Sequence, residues 1–280
     1  MASDNRVAAH YAREGLIEEI FEALQEAGKD IERLTPTDLE PIDHFHSRGV
    51  EATADLADAL AGAIALGADS DLIDLGCGLG GPARYFASRF GCRVHGVDLT
   101  PEFCDLARQF NDLTGLTGRI AVRQGSVLEL PYDDALFDAA YTQNVSMNIA
   151  DRVGFYREAY RILKPGGVFA AAEVCLGDGG DVLYPVPWAE TQATSHLMSE
   201  EENRSAFEAA GFTVLRTVDV SDRILEAHAR ARKRVAREGP PLLGIHLILG
   251  DRFKAMGRNT VRNVEERRTL PFEFLCRRDA

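Results

Sequence analysis

The chain has 280 residues, 45% of them apolar, which suits one large α/β domain or one domain with an added cap. A formal net charge of -13 sets it against phosphate backbones and argues against nucleic acid as a partner. No apolar run nears the roughly 20 residues that cross a bilayer, and the opening MASDNRVAAHYAREG holds no apolar stretch of signal-peptide length, so a soluble cytoplasmic protein that engages no membrane is expected.

In chain order, Leu16, Ile17, Ile20, Phe21 and Leu24 recur at helical spacing. Thr35-Pro36-Thr37 is a breaker with a capping residue, and 41–48 (PIDHFHSR) reads as a polar loop. Gly49 opens a helix through about Leu66, ended by Gly67. From residue 71 short apolar strands alternate with helices. DLIDLG is a buried strand and GPARYFASRF a helix; CRVHGVDL is a strand; PEFCDLARQFNDLTG is a helix with Pro101 in its first turn and Gly115 at its end. RIAVRQG and FDAAYTQN are strands. DRVGFYREAYRILKPGG is a helix stopped by Pro165 and Gly166, and VFAAAEV a strand. Ser199 and Glu202 form a capping box that heads a helix over 199–210. FTVLRTVDV and LPFEFLCRR are the last two strands.

Such alternation predicts an α/β fold, a mostly parallel sheet with helices on both faces and an antiparallel last strand. Residues 1–66 form an N-terminal helical cap, 67–221 and 269–280 the core, and 222–268 a helical lid insertion. ILEAHARARKRVARE in that insertion is basic along one side. It reads as a solvated face paired with Glu226 and Glu238, or as a mobile lid over an active site. The five cysteines, Cys77, Cys92, Cys104, Cys175 and Cys276, are odd in number and contain no CxxC pair, so neither a disulfide framework nor a metal site is expected.

The strongest signal is Leu72-Ile73-Asp74-Leu75-Gly76-Cys77-Gly78-Leu79-Gly80-Gly81, a strand turned by glycines into a helix. Side chains in such a turn would keep a ligand off the backbone. Gly76-x-Gly78-x-x-Gly81 also fits a dinucleotide loop, a weak match by itself. Asp74, two residues before the first glycine, would repel a pyrophosphate but suits a cationic ligand. Asp98 ends the next strand, where an acid can accept hydrogen bonds from ribose hydroxyls. The blocks Leu130-Pro131-Tyr132-Asp133-Asp134, Phe137-Asp138 and Leu163-Lys164-Pro165-Gly166-Gly167 are not dehydrogenase features.

Together DLGCGLGG, GVDLTPEF, LPYDDALFD and RILKPGG resemble the class I S-adenosylmethionine-dependent methyltransferases across residues 70–175. Within that class, Asp43 to Gly49 (DHFHSRG) and Gln143 to Asn148 (QNVSMN) make the chain similar to bacterial glycine/sarcosine and sarcosine/dimethylglycine N-methyltransferases and to UbiE-like small-molecule enzymes. The resemblance implies a Rossmann-like seven-stranded sheet and S-adenosyl-L-methionine as cofactor. It implies that Gly76, Gly78 and Gly80 line the methionine and ribose moieties, that Asp98 holds the ribose hydroxyls and that Leu99 packs on adenine. Ser126 and Val127 fall beside the adenine, Ser126 in place of the family's acid, and Gln143 contacts the methionine moiety. The expected partner is a small-molecule acceptor, with a homodimer left open.

Methyl transfer asks the protein to align a nucleophile and exclude water; a base is needed only if the nucleophile arrives protonated. Acceptor-side candidates are Glu173, His44, His46, His196 and Tyr11, with Glu173, at a strand end, and His46 taken as the catalytic pair. Arg48 could grip a carboxylate and Trp188 line an apolar or cationic pocket. An amine or amino acid such as glycine, sarcosine or dimethylglycine is the expected acceptor. The alternatives are O- or C-methylation of a secondary metabolite or quinone-type phenol, a cyclopropane-type lipid methyltransferase, a nicotinamide-dependent oxidoreductase, or a non-catalytic cofactor-binding protein.

Overall fold

The computed structural model describes His10 and residues 15–280; Tyr11 lies outside the described residues. The apolar runs become β1 (Asp71–Leu75), β2 (Arg93–Asp98), β3 (Ile120–Gln124), β4 (Phe137–Gln143), β5 (Leu163–Leu176), β6 (Thr213–Asp219) and β7 (Thr269–Arg277), in sheet order β3-β2-β1-β4-β5-β7-β6. β1 pairs parallel with β2 and β4, β2 with β3, and β4 with β5. β7 runs antiparallel between β5 and β6, as expected for the last strand. Strand order reverses at β1 and β4, which opens a crevice beyond their carboxyl ends.

Ten α-helices are described: α1 (Leu16–Glu26), α2 (Pro36–Asp43), α3 (Val50–Ala63), α4 (Gly81–Phe90), α5 (Pro101–Leu113), α6 (Arg152–Ile162), α7 (Glu200–Ala209), α8 (Ser221–Glu238), α9 (His246–Leu249) and α10 (Phe253–Glu265). Strand side chains alternate between the two faces of the sheet. Ile73, Val97 and Ala140 meet Phe155, Tyr156 and Phe207 of α6 and α7 on one face. Leu72, Val94 and Tyr141 meet Leu56 and Leu60 of α3 and Phe86 of α4 on the other. Stacked rings close both layers, Tyr156 on Phe207 at 3.8 Å and Phe86 on Tyr141 at 4.4 Å. A third core joins α1 and α2 to Phe103, Leu106 and Phe110 of α5 and to Leu247 and Ile248 of α9. The cap and the insertion thus pack together on the outer side of α5. All five cysteines are buried and free. No helix among the described residues is long and apolar enough to cross a membrane.

Several boundaries differ from the sequence expectation. The loop read from residue 41 begins only at His44, because Thr35 and Asp38 close a capping box that carries α2 through Pro41 to Asp43. α3 stops at Ala63; Ile64 turns extended, and Ile64 and Leu66, two apart, then pack on the core as an extended chain would. α6 ends at Ile162, before Pro165, because Leu163 already pairs with Phe137 of β4. The arginines of α8 reach across to α3, Arg223 to Asp55 at 2.9 Å and Arg230 to Glu51 at 2.7 Å, instead of to Glu226; Arg237 does pair with Glu238. Exposed pairs of this kind stabilise by about 0–1 kcal/mol each.

Candidate active site

β1 ends at Leu75 and the chain turns through Gly76 (φ 85°) and Gly78 (φ 51°), conformations that disfavour any side chain. A Cβ on Gly76 would stand 2.3 Å from a Val145 methyl, whereas one on Gly78 would meet nothing within 4 Å. Gly76 is therefore demanded by packing, and Gly78 lies open. Asp98, at the end of β2, accepts hydrogen bonds from the Gly78 N–H and the Thr100 N–H, both at 2.8 Å. Gly76 N–H and Cys77 N–H both donate to the Val97 carbonyl. The acid thus holds the glycine turn against the neighbouring strand.

A cavity of about 2360 Å³ opens over this turn. Asp74, Gly76, Gly78, Asp98, Leu99, Ser126, Val127 and Gln143 all line it, as do His44, His46 and Arg48 from the cap side. Three described sequence candidates do not, Gly80, Glu173 and His196. Gly80 caps α4, and its Cβ site faces the Arg84 guanidinium at 3.1 Å. Glu173 is only 1% exposed. β5 continues past it to Leu176, held in register with β7, so the strand end lies further on. Pleat alternation sends Glu173 to the face of Ala171 and Cys175, and its neighbour Val174 lines the cavity instead. The Glu173 carboxyl accepts from the Ser146 hydroxyl, and Arg152 donates to that same hydroxyl at 2.6 Å and to Asn203 Oδ1 at 2.6 Å. Burial pushes Glu173 up to about 7, with Arg152 and Ser146 opposing. This knot ties β5 to α6 and α7.

Two residues that line the cavity each carry a buried atom with an unmet demand, of opposite kind. Asp74 Oδ2 is buried with no hydrogen-bond partner. Desolvation raises its carboxyl to about 8, the nearby Tyr141 hydroxyl lowers it and the charge of Asp98 raises it further. Gln143 Nε2, a donor, is likewise buried and unpartnered. Ser126 Oγ accepts from the Leu128 N–H at 3.3 Å. Burial also raises Asp98, against the backbone N–H groups of Thr100 and Gly78.

Opposite Gln143 stands a cluster that sequence reasoning missed in part. Thr53 is fully buried on α3 and donates to Gln143 Oε1 at 3.1 Å. Its oxygen lies 2.9 Å from His44 Nδ1 and 3.3 Å from His46 Nε2. A hydroxyl has one proton and two lone pairs. Since Thr53 gives its proton to Gln143, both imidazoles donate to Thr53. The other ring nitrogen of His46, Nδ1, lies 3.5 Å from the Ser47 carbonyl, a long contact. Burial lowers both histidines to about 3, so both are neutral near pH 7. Thr53 shares its helix face with Leu56, Ala57 and Leu60, three, four and seven positions on. A hydroxyl on that apolar stripe was the available signal.

Arg48 pairs with Asp55 and lies 3.5 Å from Glu273. Trp188 lines the cavity but also packs with Met147 and Val186, its indole N–H on Ser195 Oγ at 2.9 Å. His196 lies off the cavity, its backbone carbonyl taken by Arg152 at 2.9 Å.

A glycine turn between β1 and α4, an acid closing β2 and a cavity at the strand-order switch define a nucleoside-cofactor enzyme of the Rossmann-like kind. The chain belongs to the class I S-adenosylmethionine-dependent methyltransferases, and its cofactor is S-adenosylmethionine. The family described as Methyltransferase domain matches residues 73–171. The sarcosine/dimethylglycine N-methyltransferase of Halorhodospira halochloris is 30% identical over 230 residues, 80% of this chain and 78% of that protein. A sterol 24-C-methyltransferase of Aspergillus fumigatus is 30% identical over 158 residues, 54% of this chain and only 42% of that protein. The geranyl diphosphate C-methyltransferase of Streptomyces coelicolor superposes with a TM-score of 0.68 over 99% of this chain and 98% of that one, at 18% identity, a likeness of fold alone.

Proposed function

We propose that the protein transfers a methyl group to a nitrogen or oxygen of a small-molecule acceptor, with amines and amino acids of the glycine, sarcosine or dimethylglycine kind first in line. The observation that carries this reading is the buried His44–Thr53–His46–Gln143 cluster, which sets neutral imidazole against the cavity beside the end of β4. The sarcosine/dimethylglycine relative supports it.

The residues present fit the cofactor. S-adenosylmethionine supplies a methyl carbon activated by a sulfonium. Its methionine end is a zwitterion, and the unmet acceptor of Asp74 and the unmet donor of Gln143 match its ammonium and carboxylate. Gly76 and Gly78 keep the backbone clear of side chains. Asp98 accepts from the ribose hydroxyls while retaining the Gly78 N–H; Leu99 and Val127 pack on the adenine, and the Ser126 hydroxyl meets its polar edge. On the acceptor side, the neutral imidazole of His46 receives the N–H or O–H of the nucleophile and aims its lone pair. An imidazole lowered to about 3 orients that group without storing its proton. An amine acceptor therefore enters as its free base, and no separate base is required.

A screen of amines, amino acids and phenols that reads S-adenosylhomocysteine release tests this. Turnover with a nitrogen or oxygen acceptor is expected, and His46→Ala lowers kcat/KM by roughly tenfold, the worth of one neutral hydrogen bond. Cofactor binding without release on any such acceptor would refute the reading. The apolar wall that includes Val174 and Trp188 favours a second reading, O- or C-methylation of a quinone-type phenol in place of an amine, and turnover of phenols without amines separates the two.

A further inference from the structure

The acceptor side of the cavity is built by the lid helices, and its composition is specific. α8 presents Ile224, Ala227, Ala231 and Val235, spaced by three and four, and α10 presents Phe253, Gly257, Val261 and Val264 in the same way. Both inner faces are therefore apolar or small. The cavity, about 2360 Å³, exceeds ordinary ligand pockets of roughly 300–1,000 Å³. A cofactor and a two- or three-carbon amino acid leave much of such a space to water.

Around this apolar wall the lid sets cations. Arg230, Arg252 and Arg262 also line the cavity, but Glu51, Glu190 and Glu266 pair with them. Arg232, Arg234, Lys254 and Arg258 line the cavity, are exposed, and have no carboxylate partner among the described residues. Of the acids in 222–268, only Asp251 and Glu265 line the cavity with them. In a chain with 44 acidic and 31 basic residues, four unpaired cations on one cavity rim run against the overall charge. Asp74 and Asp98 line the same cavity at the strand ends, so acids stand where a cationic cofactor belongs, while the cations without a carboxylate partner sit on the inserted helices. His228 stands in the apolar wall of α8 with its Nε2 buried and unpartnered, one polar contact within that wall.

Resting on methyl transfer to a nitrogen or oxygen as read above, and replacing its glycine-sized acceptor with a longer one, the geometry points to an acceptor with an extended apolar body and an anionic end, carboxylate or phosphate. The body lies along Ile224, Ala231, Val261 and Val264, and the anion is held at the rim by Arg232, Arg234, Lys254 and Arg258. The charge arrangement also speeds encounter with an anion, an effect that salt screens.

Calorimetry on the full chain loaded with S-adenosylhomocysteine tests the assignment with four probes: octanoate, octyl phosphate, octylammonium and propionate. The better of the two octyl anions is expected to bind at least tenfold more tightly than octylammonium and than propionate, and their ranking identifies carboxylate or phosphate. The pair Lys254→Glu and Arg258→Glu removes that preference while S-adenosylhomocysteine still binds; Lys254→Gln with Arg258→Gln serves if the reversed pair fails to fold. Equal binding of octylammonium, equal binding of propionate, or no binding of either octyl anion overturns the assignment. Failure of the methyl-transfer reading has a different signature: octyl anions bind, but no acceptor releases S-adenosylhomocysteine.

Discussion

Asp74 is the sharpest test of how the cofactor is held. Its Oδ2 is buried without a partner, and burial raises the carboxyl to about 8. In the empty protein near pH 6.5 the group is therefore mostly protonated. A bound ammonium needs the carboxylate, so binding must expel a proton. Affinity for S-adenosylmethionine should then rise with pH from 6 to 7.5 by up to about tenfold per unit, since one unit is worth about 1.4 kcal/mol. The window closes near 7.7–8.0, where an α-amine begins to lose its own proton. Asp74→Asn keeps the shape and removes the charge. A hydrogen bond to a charged group is worth about 1.5–3 kcal/mol, so the variant should bind roughly 10- to 150-fold more weakly at pH 7.5 and lose most of the pH slope. Calorimetry in two buffers of different protonation enthalpy counts the protons directly. Wild-type heats that do not depend on buffer, together with an affinity flat from pH 6 to 7.5, would show that Asp74 does not meet the ammonium.

Asp98→Ala should weaken S-adenosylmethionine by about 1–3 kcal/mol in calorimetry, because it removes the proposed ribose contact and also releases the Gly78 N–H that the carboxylate now holds. The two buried histidines predict acid lability. Each has a folded pKa of about 3 against an ordinary 6.5, so the fold favours the neutral form, and that stabilisation is complete above pH 6.5 and lost as pH falls toward 3. The thermal midpoint of wild type should fall across that window, and His44→Gln with His46→Gln should flatten the decline. An equally steep fall in the double variant would place the acid sensitivity elsewhere.

What the sequence made legible follows from range. β1, the glycine turn and Asp98 lie within thirty residues of one another, and their geometry is set by local backbone chemistry and one strand pairing. Ser199 and Glu202 close their capping box within four residues, so that helix start could be read directly. Gly80 shows the limit even at short range: it belongs to the turn, but its Cβ direction depends on Arg84 one turn into α4. Glu173 fails at longer range. Its face is fixed by where β5 stops, and β5 stops where β7, almost a hundred residues later, stops pairing with it. A strand end misplaced by a few residues selects the wrong pleat parity, and the choice moved from Val174 to Glu173. Thr53 is harder still, because its role exists only once α3, the 44–49 loop and the end of β4 converge.

The same reasoning separates the two halves of the site. The cofactor half is made from consecutive strand ends whose spacing the sheet itself dictates, so a motif of ten residues can announce it. The proposed acceptor half draws on helices before the sheet and helices inserted between β6 and β7, which share a core on α5. Substitutions on the inner faces of α8 or α10 can change the shape of the acceptor wall without touching a strand end. Acceptor choice can thus drift while the cofactor cradle stays fixed. Relatives that are each 30% identical to this chain and are named for acceptors as different as dimethylglycine and a sterol are the expected outcome of that division.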